Sequence, residues 1–274
     1  MEEQYLFLHK NDLCGSLMID EDSGALLGYK AAGGNGMAPF LGHADERLMK
    51  KWRDSRAIPS SRHSIQEILR KAGCENTKTY LAKNLALSLT DTYWICPGDL
   101  RVSWEDVSLH RMHTDEGKLS YHNVSSYDPN ASLGGQLDKY WDLRKTPPVL
   151  VKTAYRAYGQ QSMNEVFAAE LHRRQGSDIP YVAYSLKPGT DNAVLVMCEA
   201  FTSEQIEFIP ALEIIESEKQ KNEQSLYDTY IEICAGHGID RDFMQDYMDY
   251  QTMMDFIISN TDEHLLNFGV LRDT

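Results

Sequence analysis

The sequence contains no hydrophobic run long enough to cross a membrane. A bilayer-spanning helix needs about 18 or more mostly apolar residues, and no stretch of the 274-residue chain approaches that length. The opening residues, MEEQYLFLHK, are acidic where a secretory signal peptide would be basic. These two observations predict a cytoplasmic protein that does not enter a membrane.

Paired cysteines are also lacking. The chain has five cysteines, an odd number, and none of them belongs to a Cys-x-x-Cys pair. The sequence therefore predicts neither a disulfide framework nor a zinc site. We expect the cysteines to act as small apolar side chains, buried or half-buried, at positions Cys14, Cys74, Cys96, Cys198 and Cys234.

Basic residues are scarce relative to acidic ones. The chain has 27 Lys and Arg against 41 Asp and Glu, which gives a formal net charge of −14. Such an excess of negative charge opposes non-specific binding to nucleic acid or to an anionic membrane. The remaining composition, 42% hydrophobic and 25% charged, is that of a globular protein. The net negative charge is still compatible with a small anionic ligand that is held by a few local donors.

The first half of the chain predicts a β-meander followed by helices. Short apolar runs alternate with turns before Lys30, a spacing typical of antiparallel strands. A Gly-rich loop is predicted from Gly33 to Gly42, without the GxGxxG helix start of a dinucleotide site. A strand is then predicted to end at Pro97, after helices at residues 44–53, 64–73 and 77–86. Ser64 and Glu67 have the spacing of a capping box for the second helix.

The second half has a different organisation, which starts near Ser125. The run SSYDPNASLGG predicts a loop, and PPVLVKTA and NAVLVMCEAF predict strands. The final FGVL predicts the start of another strand. Helices are predicted over MNEVFAAELHRR, over residues 203–217, and over a last segment ending at Asn260. Two sets of apolar residues have helical spacing: Met163, Val166, Phe167 and Leu171, and then Phe243, Tyr247, Met254, Ile257 and Ile258.

Lys152 lies in the apolar run PPVLVKTA and is a candidate for binding an anion. An unpaired ammonium is costly to bury, so a buried Lys152 needs an anionic partner. Glu165, thirteen residues further on in the next predicted helix, is the expected partner, with Glu170 as a lesser substitute. The alternative is an edge-strand lysine that points to water.

Two further motifs suit phosphoryl transfer, which needs a phosphate cradle, a cation on the phosphates, oxygen ligands for Mg²⁺ and a base. The adjacent glycines Gly134 and Gly135 allow backbone N–H groups to approach phosphate closely, although such pairs more often form a turn. Asp262, His264 and Asn267 precede the last apolar run. Asp and Asn are also ordinary turn residues.

Together these motifs resemble the HipA-like family of bacterial Ser/Thr protein kinases, known largely from toxin–antitoxin modules. The resemblance covers residues 125–274 and rests on SLGG, LVKTA, MNEVF, VMCEAF and NTDEHLLNFGV. It is most specific in Asp262-x-His264-x-x-Asn267, where the step from Asp to Asn equals the spacing in kinase catalytic loops.

The resemblance implies an α+β, two-lobed protein-kinase-like fold with an extra N-terminal subdomain. The expected units are an N-terminal subdomain at 1–124, a nucleotide-binding lobe at 125–205, and a partial helical lobe with the catalytic loop at 206–274. The implied cofactors are ATP and Mg²⁺. The implied partners are a protein substrate and, in a toxin–antitoxin module, a helix-turn-helix antitoxin.

The resemblance also implies roles for individual residues. Asp262 would accept the proton of the attacking hydroxyl, His264 would brace the loop, and Asn267 would bind Mg²⁺. Lys152, held by Glu165, would bridge to the nucleotide phosphates beside the Gly134–Gly135 loop. The remaining implied roles are adenine contacts from the backbone at Glu199 and Phe201, and regulatory phosphorylation at Ser132.

One kinase element has no match in the sequence. A second carboxylate for Mg²⁺ is carried by the return strand of a hairpin after the catalytic Asn, and Asp273 lies too soon after Asn267 to be that residue. We therefore expect a truncated C-terminal lobe and weak or no phosphoryl transfer. The alternatives are a catalytically inactive pseudokinase that binds a partner, and a small-molecule phosphotransferase of the aminoglycoside or choline kinase kind.

Overall fold

A computed structural model describes residues 2–33, 37–113, 127–154, 159–189, 193–220, 223–261 and 264–274. These residues form a mixed α and β structure with three antiparallel sheets, which confirms the α+β prediction at this coarse level. The strands are β1 Glu2–His9, β2 Asp12–Asp20, β3 Leu26–Ala31, β4 Tyr93–Pro97, β5 Asp138–Asp142, β6 Val149–Ala154, β7 Ser185–Pro188, β8 Val194–Glu199, β9 Ile206–Pro210 and β10 Gly269–Asp273. The α-helices are α1 Glu46–Arg56, α2 Ile65–Ala72, α3 Thr77–Lys83, α4 Trp104–Val107, α5 Gln160–Gln175, α6 Ala211–Glu216, α7 Leu226–Gly236 and α8 Arg241–Ile258.

The N-terminal sheet has the strand order β3-β2-β1-β4. Its first three strands are the predicted meander, and β4, which ends at Pro97 as predicted, pairs with β1. The sheet packs against α1 through a cluster of aromatic rings. Phe7 stacks on Tyr93 at a centroid distance of 5.7 Å and meets Trp52 edge-on at 5.1 Å. Burying such large rings contributes strongly to a core.

The helices of the N-terminal half agree with the sequence pattern, but the capping box at Ser64 is wrong. Helix α2 ends before Gly73, which has a left-handed φ of 64°, a conformation that glycine adopts without strain. The Ser64 hydroxyl makes no cap; it donates to a carboxylate oxygen of Asp138 at 2.5 Å. A capping box is present one helix later, between Asn76 and Thr79.

The second sheet has the strand order β5-β6-β8-β7 and carries α5. Both predicted strands and the predicted helix of this part are present, as β6, β8 and α5. The register places Lys152 opposite Lys139 on one side and opposite Val196 on the other. Directly paired residues of an antiparallel sheet share a face, so these three side chains lie on the same face.

The third sheet consists of β9 and β10, and it packs with α6, α7 and α8. The helix predicted over residues 203–217 is wrong in its first half, because residues 206–210 form β9 and pair with β10. Only Ala211–Glu216 is helical there. Helix α8 is present as predicted, although its buried side chains are Met244, Met248 and Met254, and Phe243 and Ile257 stay exposed.

A buried carboxylate joins the third sheet to the N-terminal sheet. Glu207 on β9 is fully buried and accepts bonds from His9 at 3.0 Å, from Thr92 at 3.2 Å and from Arg272 at 2.7 Å. Arg272 lies on β10 and also donates to the Tyr93 hydroxyl at 2.6 Å. A buried charge needs such partners, so this network ties strands β1, β4, β9 and β10 together.

Two predictions drawn from absences can be compared with the structure. Four of the five cysteines are buried and Cys74 is half-buried, which confirms their expected burial. Among the described residues, no helix combines the length and the apolar character that a membrane crossing requires. The predicted boundary at residues 124–125 lies outside the described residues.

Candidate functional site

The ion pair expected between Lys152 and Glu165 is present. The Lys152 ammonium on β6 lies 2.9 Å from a carboxylate oxygen of Glu165 on α5, and the two side chains are 15% and 27% exposed. The Tyr184 hydroxyl lies 3.1 Å from the same ammonium, whose nitrogen also lies 4.7 Å from the centre of the Tyr184 ring. Glu170, the substitute partner, is half-buried and pairs with Arg173 and Arg174 of its own helix.

Local structure explains how the pair forms. Val151 and Thr153 are buried on one face of β6, and alternation puts Lys152 on the other. Helix α5 begins close to β8, because the Ser162 hydroxyl donates to the carbonyl of Val194 at 3.3 Å. The second turn of the helix then presents Glu165 to the lysine.

The lysine stays charged in this setting. Burial lowers the pKa of Lys152, but Tyr184 and Glu165 more than offset that effect, so the net pKa is above its usual value. An ammonium has three N–H groups, and Glu165 and Tyr184 accept from two of them, so one is left for a further anion.

Lys139 is a second cation at this site, and the sequence did not single it out. It lies on β5 directly opposite Lys152. Burial, followed by the charges of Lys152 and Arg62, lowers the pKa of Lys139 to about 8. Within the described residues, no carboxylate pairs with its ammonium. An anion placed between the two lysines would relieve their repulsion.

The predicted phosphate loop lies beside Lys139. Gly135 has a φ of 82°, and a Cβ atom built there would come within 2.7 Å of the Lys139 nitrogen. The left-handed φ disfavours any side chain at this position, and the short distance shows that the Lys139 ammonium lies against the loop. Ser132 is half-buried in the same loop, beside the buried Leu133. The loop, Lys139 and Lys152 thus lie together with the bonded carboxylate of Glu165, and we call this group the cationic region.

The described part of the predicted catalytic loop is held against the start of α6. The carbonyls of Leu265 and Phe268 accept bonds, both at 2.9 Å, from the amides of Leu212 and Ala211. The Phe268 ring packs edge-on against Tyr230 at 5.4 Å. These contacts fix the backbone on either side of Leu266 and Asn267.

The catalytic-loop side chains are placed only in part. Asp262 lies outside the described residues. His264 is exposed, and its carbonyl accepts a bond from the Asn267 amide at 2.8 Å while its Nδ1 accepts one from the Leu266 amide at 3.3 Å. The bracing role of His264 stays a prediction based on sequence. Asn267 is exposed as well.

The predicted hinge follows β8. Glu199 is exposed and pairs with Val149, and the next amide, that of Ala200, donates to the carbonyl of Pro148 at 2.8 Å. Phe201 is exposed and packs edge-on against Phe208 at 5.8 Å. The amide of Ala200 is therefore occupied by the sheet.

In the part of the chain that the structure describes, carboxylate, histidine and cysteine side chains do not gather into a metal site. Among the described residues, no group of three or more such side chains could hold a metal ion. Asn267 carries an amide oxygen, a kind of ligand that Mg²⁺ takes, and the metal site stays a prediction based on sequence. The donor set at Lys139 and Lys152 fits an anion instead.

Comparisons of the chain with protein-family models, with curated proteins and with solved structures find no match. The chemistry of the site is therefore inferred from the positions and contacts of its own residues.

Proposed function

We propose that the chain is an ATP- and Mg²⁺-dependent Ser/Thr protein kinase of HipA-like type, with a two-lobed kinase-like fold and an additional N-terminal unit. The observation that carries the proposal is the ion pair between Lys152 on β6 and Glu165 on the following helix α5. In protein kinases a lysine on a strand and a glutamate on the next helix form such a pair when the site is ready to bind nucleotide.

The cationic region supports a polyphosphate ligand in particular. Lys139 and Lys152 lie on the same face of the sheet. Glu165 bonds to Lys152. In kinase sites one lysine ammonium and a glycine-rich loop bind phosphate oxygens, and Lys139 would add a second ammonium here. Glu165 and Tyr184 hold the Lys152 ammonium in place, so its orientation is set before an anion arrives.

The remaining roles are assigned from the sequence. Asp262 would take the proton of the attacking serine or threonine hydroxyl, and His264 would brace the loop. Asn267 would supply an amide oxygen to Mg²⁺, which when bound neutralises charge on the phosphates. Backbone groups near Glu199 and Phe201 would contact adenine, and Ser132 would be a regulatory phosphorylation site. The proposed location is the cytoplasm, with a protein substrate and a helix-turn-helix antitoxin as partners.

Titration calorimetry with ATP and Mg²⁺ is the first test. We expect the wild-type chain to bind ATP. Lys152→Met should weaken ATP binding at least tenfold, because it removes the ammonium that is proposed to bind the phosphates. Lys187→Met is the matched control, since Lys187 is an exposed lysine on β7 of the same sheet. Absence of ATP binding by the wild-type chain would overturn the proposal.

Transfer of the γ-phosphate is the second test. Radiolabelled ATP would be incubated with the chain alone, with a generic protein substrate, and with an aminoglycoside and choline. A protein kinase labels protein, and Asp262→Asn then keeps ATP affinity while it loses turnover. Labelling of a small molecule alone identifies a small-molecule phosphotransferase. Because the second carboxylate for Mg²⁺ has no match in the sequence, the proposal is of weak but measurable transfer. Binding without any transfer identifies a pseudokinase, and both this result and labelling of a small molecule alone contradict the proposal.

A further inference from the structure

A short segment of the N-terminal half forms hydrogen bonds to the predicted phosphate loop. The segment Ser61–Ser64 lies between α1 and α2, and its residues bond to the stretch Leu133–Asp138 more than 70 positions later in the chain. The centre of this contact is Arg62, whose side chain is buried, with the whole residue only 3% exposed. Buried arginines without a bonded carboxylate are uncommon, so the burial of the Arg62 guanidinium needs a physical reason.

Arg62 bonds to three consecutive carbonyl groups of the loop. Its Nη2 donates to the carbonyl of Leu133, to that of Gly134 at 3.0 Å and to that of Gly135 at 2.9 Å, and its Nε donates to Gly135 at 3.2 Å. The planar guanidinium can satisfy several acceptors at once, which a lysine cannot do with the same geometry. The three carbonyls are thereby turned toward Arg62.

Two serines near the arginine, Ser61 and Ser64, bond to residues that follow Gly135 in the chain. The Ser61 hydroxyl donates to the Gln136 side chain at 2.9 Å, and the Ser64 hydroxyl donates to Asp138 at 2.5 Å. Asp138 is adjacent to Lys139 in β5. The contacts therefore run along the whole loop up to the strand that carries the second cation.

We propose that Arg62 is a positioning residue for the candidate nucleotide site, holding the Leu133–Gly135 backbone beside Lys139 from the N-terminal half of the chain. This inference rests on the function proposed above. Its physical basis is the close approach between Gly135 and the Lys139 nitrogen, which a small displacement of the loop would change. Arg62 bonds to the backbone of the loop, and the role assigned to it is to hold that backbone in place.

Hydrogen exchange and ATP affinity test this role together. In Arg62→Lys and Arg62→Gln we expect amide exchange in residues 132–139 to accelerate at least tenfold, while exchange in α7 and α8 is unchanged. The dissociation constant for ATP should rise at least fivefold in the same variants. Arg70→Lys is the matched control, because Arg70 is an exposed arginine on the neighbouring helix α2, and it should change neither quantity.

The possible outcomes separate this inference from the proposed function. If the loop exchanges faster but ATP affinity is unchanged, or if the loop exchanges at the wild-type rate, Arg62 does not position the site and the proposed function stands. If the wild-type chain does not bind ATP, both proposals fail. Should the Arg62 variants unfold, the Ser61→Ala/Ser64→Ala double variant decides: faster loop exchange and weaker ATP binding support the role, and wild-type values overturn it.

Discussion

Lys139 and Lys152 lie directly opposite each other on the neighbouring strands β5 and β6. Side chains in such cross-strand pairs have Cβ atoms about 5 Å apart, and like charges in this arrangement repel. In the part of the chain that the structure describes, Glu165 pairs with Lys152 and no carboxylate pairs with Lys139. The cost of the repulsion therefore falls on Lys139, whose pKa drops to about 8 after burial and the charge of Lys152 have acted.

The first prediction concerns the ionisation of Lys139. A lysine with a lowered pKa in the folded state binds fewer protons there than in the unfolded state between about pH 8 and 10.5. The free energy of unfolding should thus rise with pH in that window because of this group. Lys139→Met should remove this contribution and raise the melting temperature at pH 7, as measured by thermal unfolding.

The control for this prediction is Lys187→Met, at an exposed position on β7, which should leave the melting temperature unchanged. Acylation of Lys139, followed by mass spectrometry, should show a midpoint near pH 8. If Lys139 reacts with the same pH profile as Lys187, burial and the neighbouring cations do not lower the pKa of Lys139 as predicted.

The second prediction concerns the partner of Lys152. Glu165→Gln removes the carboxylate but keeps the shape of the side chain, leaving a buried ammonium with the Tyr184 hydroxyl at 3.1 Å. We expect the free energy of unfolding to fall by about 1–3 kcal/mol, the usual cost of leaving a buried polar group poorly satisfied. Urea unfolding monitored by circular dichroism gives this quantity.

Glu170→Gln is the matched control on the same helix, since Glu170 bonds only to exposed arginines of α5 in the described structure. Its unfolding midpoint should equal that of the wild type. Equal midpoints for both variants would show that the Lys152–Glu165 pair contributes nothing to the fold.

The pair could be predicted from sequence because its determinants are local. Lys152 is in a short apolar run, Glu165 is in the next helical pattern, and burial cost requires that they meet. Lys139 was missed because its position opposite Lys152 depends on the register between β5 and β6. That register is set by the connecting turn and the packing of both strands, and no pattern within either strand reports it.

Tertiary contacts also explain the local errors. Ser64 has the right spacing for a capping box, but the carboxylate of Asp138, 74 positions away, accepts its hydroxyl instead. The run of residues 206–210 is short and apolar, which suits either a helix or a strand. It is a strand because β10 pairs with it from far along the chain, and because its one charged residue, Glu207, finds three partners in the core.

The third prediction concerns Glu207. Burial raises the pKa of this carboxyl, but bonds from His9 and the charge of Arg272 outweigh burial and leave the pKa below its usual 4.5. The ionised carboxylate therefore contributes stability above about pH 4.5, which is lost as the pH falls through the lower folded-state value. Glu207→Gln should lower the free energy of unfolding by about 3 kcal/mol at pH 7, the scale for breaking a buried ion pair.

Unfolding curves from pH 7 to pH 3 test the sign as well as the size. The gap between wild type and Glu207→Gln should narrow below about pH 4.5. Glu232→Gln is the control, because its bond to Arg241 is on the exposed surface, and it should follow the wild type throughout. A gap that stays constant with pH would mean that the carboxylate charge is not the source of the stability.

The fourth prediction has the opposite pH dependence. Glu213 on α6 accepts a bond from the Phe40 amide at 3.2 Å, yet burial raises the pKa of this carboxyl to about 7. The folded state then binds more protons than the unfolded state between about pH 4.5 and 7, so the free energy of unfolding declines with rising pH in that window. Glu213→Gln keeps an acceptor for Phe40 and carries no charge, and it should raise the melting temperature at pH 8 but not at pH 4.

Glu216 on the same helix is a control of opposite sign. Its bond from Lys51, then its bond from Arg47, lower the pKa of this carboxyl despite partial burial. Glu216→Gln should therefore lower the melting temperature at pH 8, where Glu213→Gln raises it, because one variant removes a favourable charge and the other an unfavourable one. If Glu213→Gln destabilises the protein at pH 8 as Glu216→Gln does, Arg56 and Arg272 stabilise the Glu213 carboxylate more than burial penalises it, and the pKa of Glu213 lies below its usual value instead of above it.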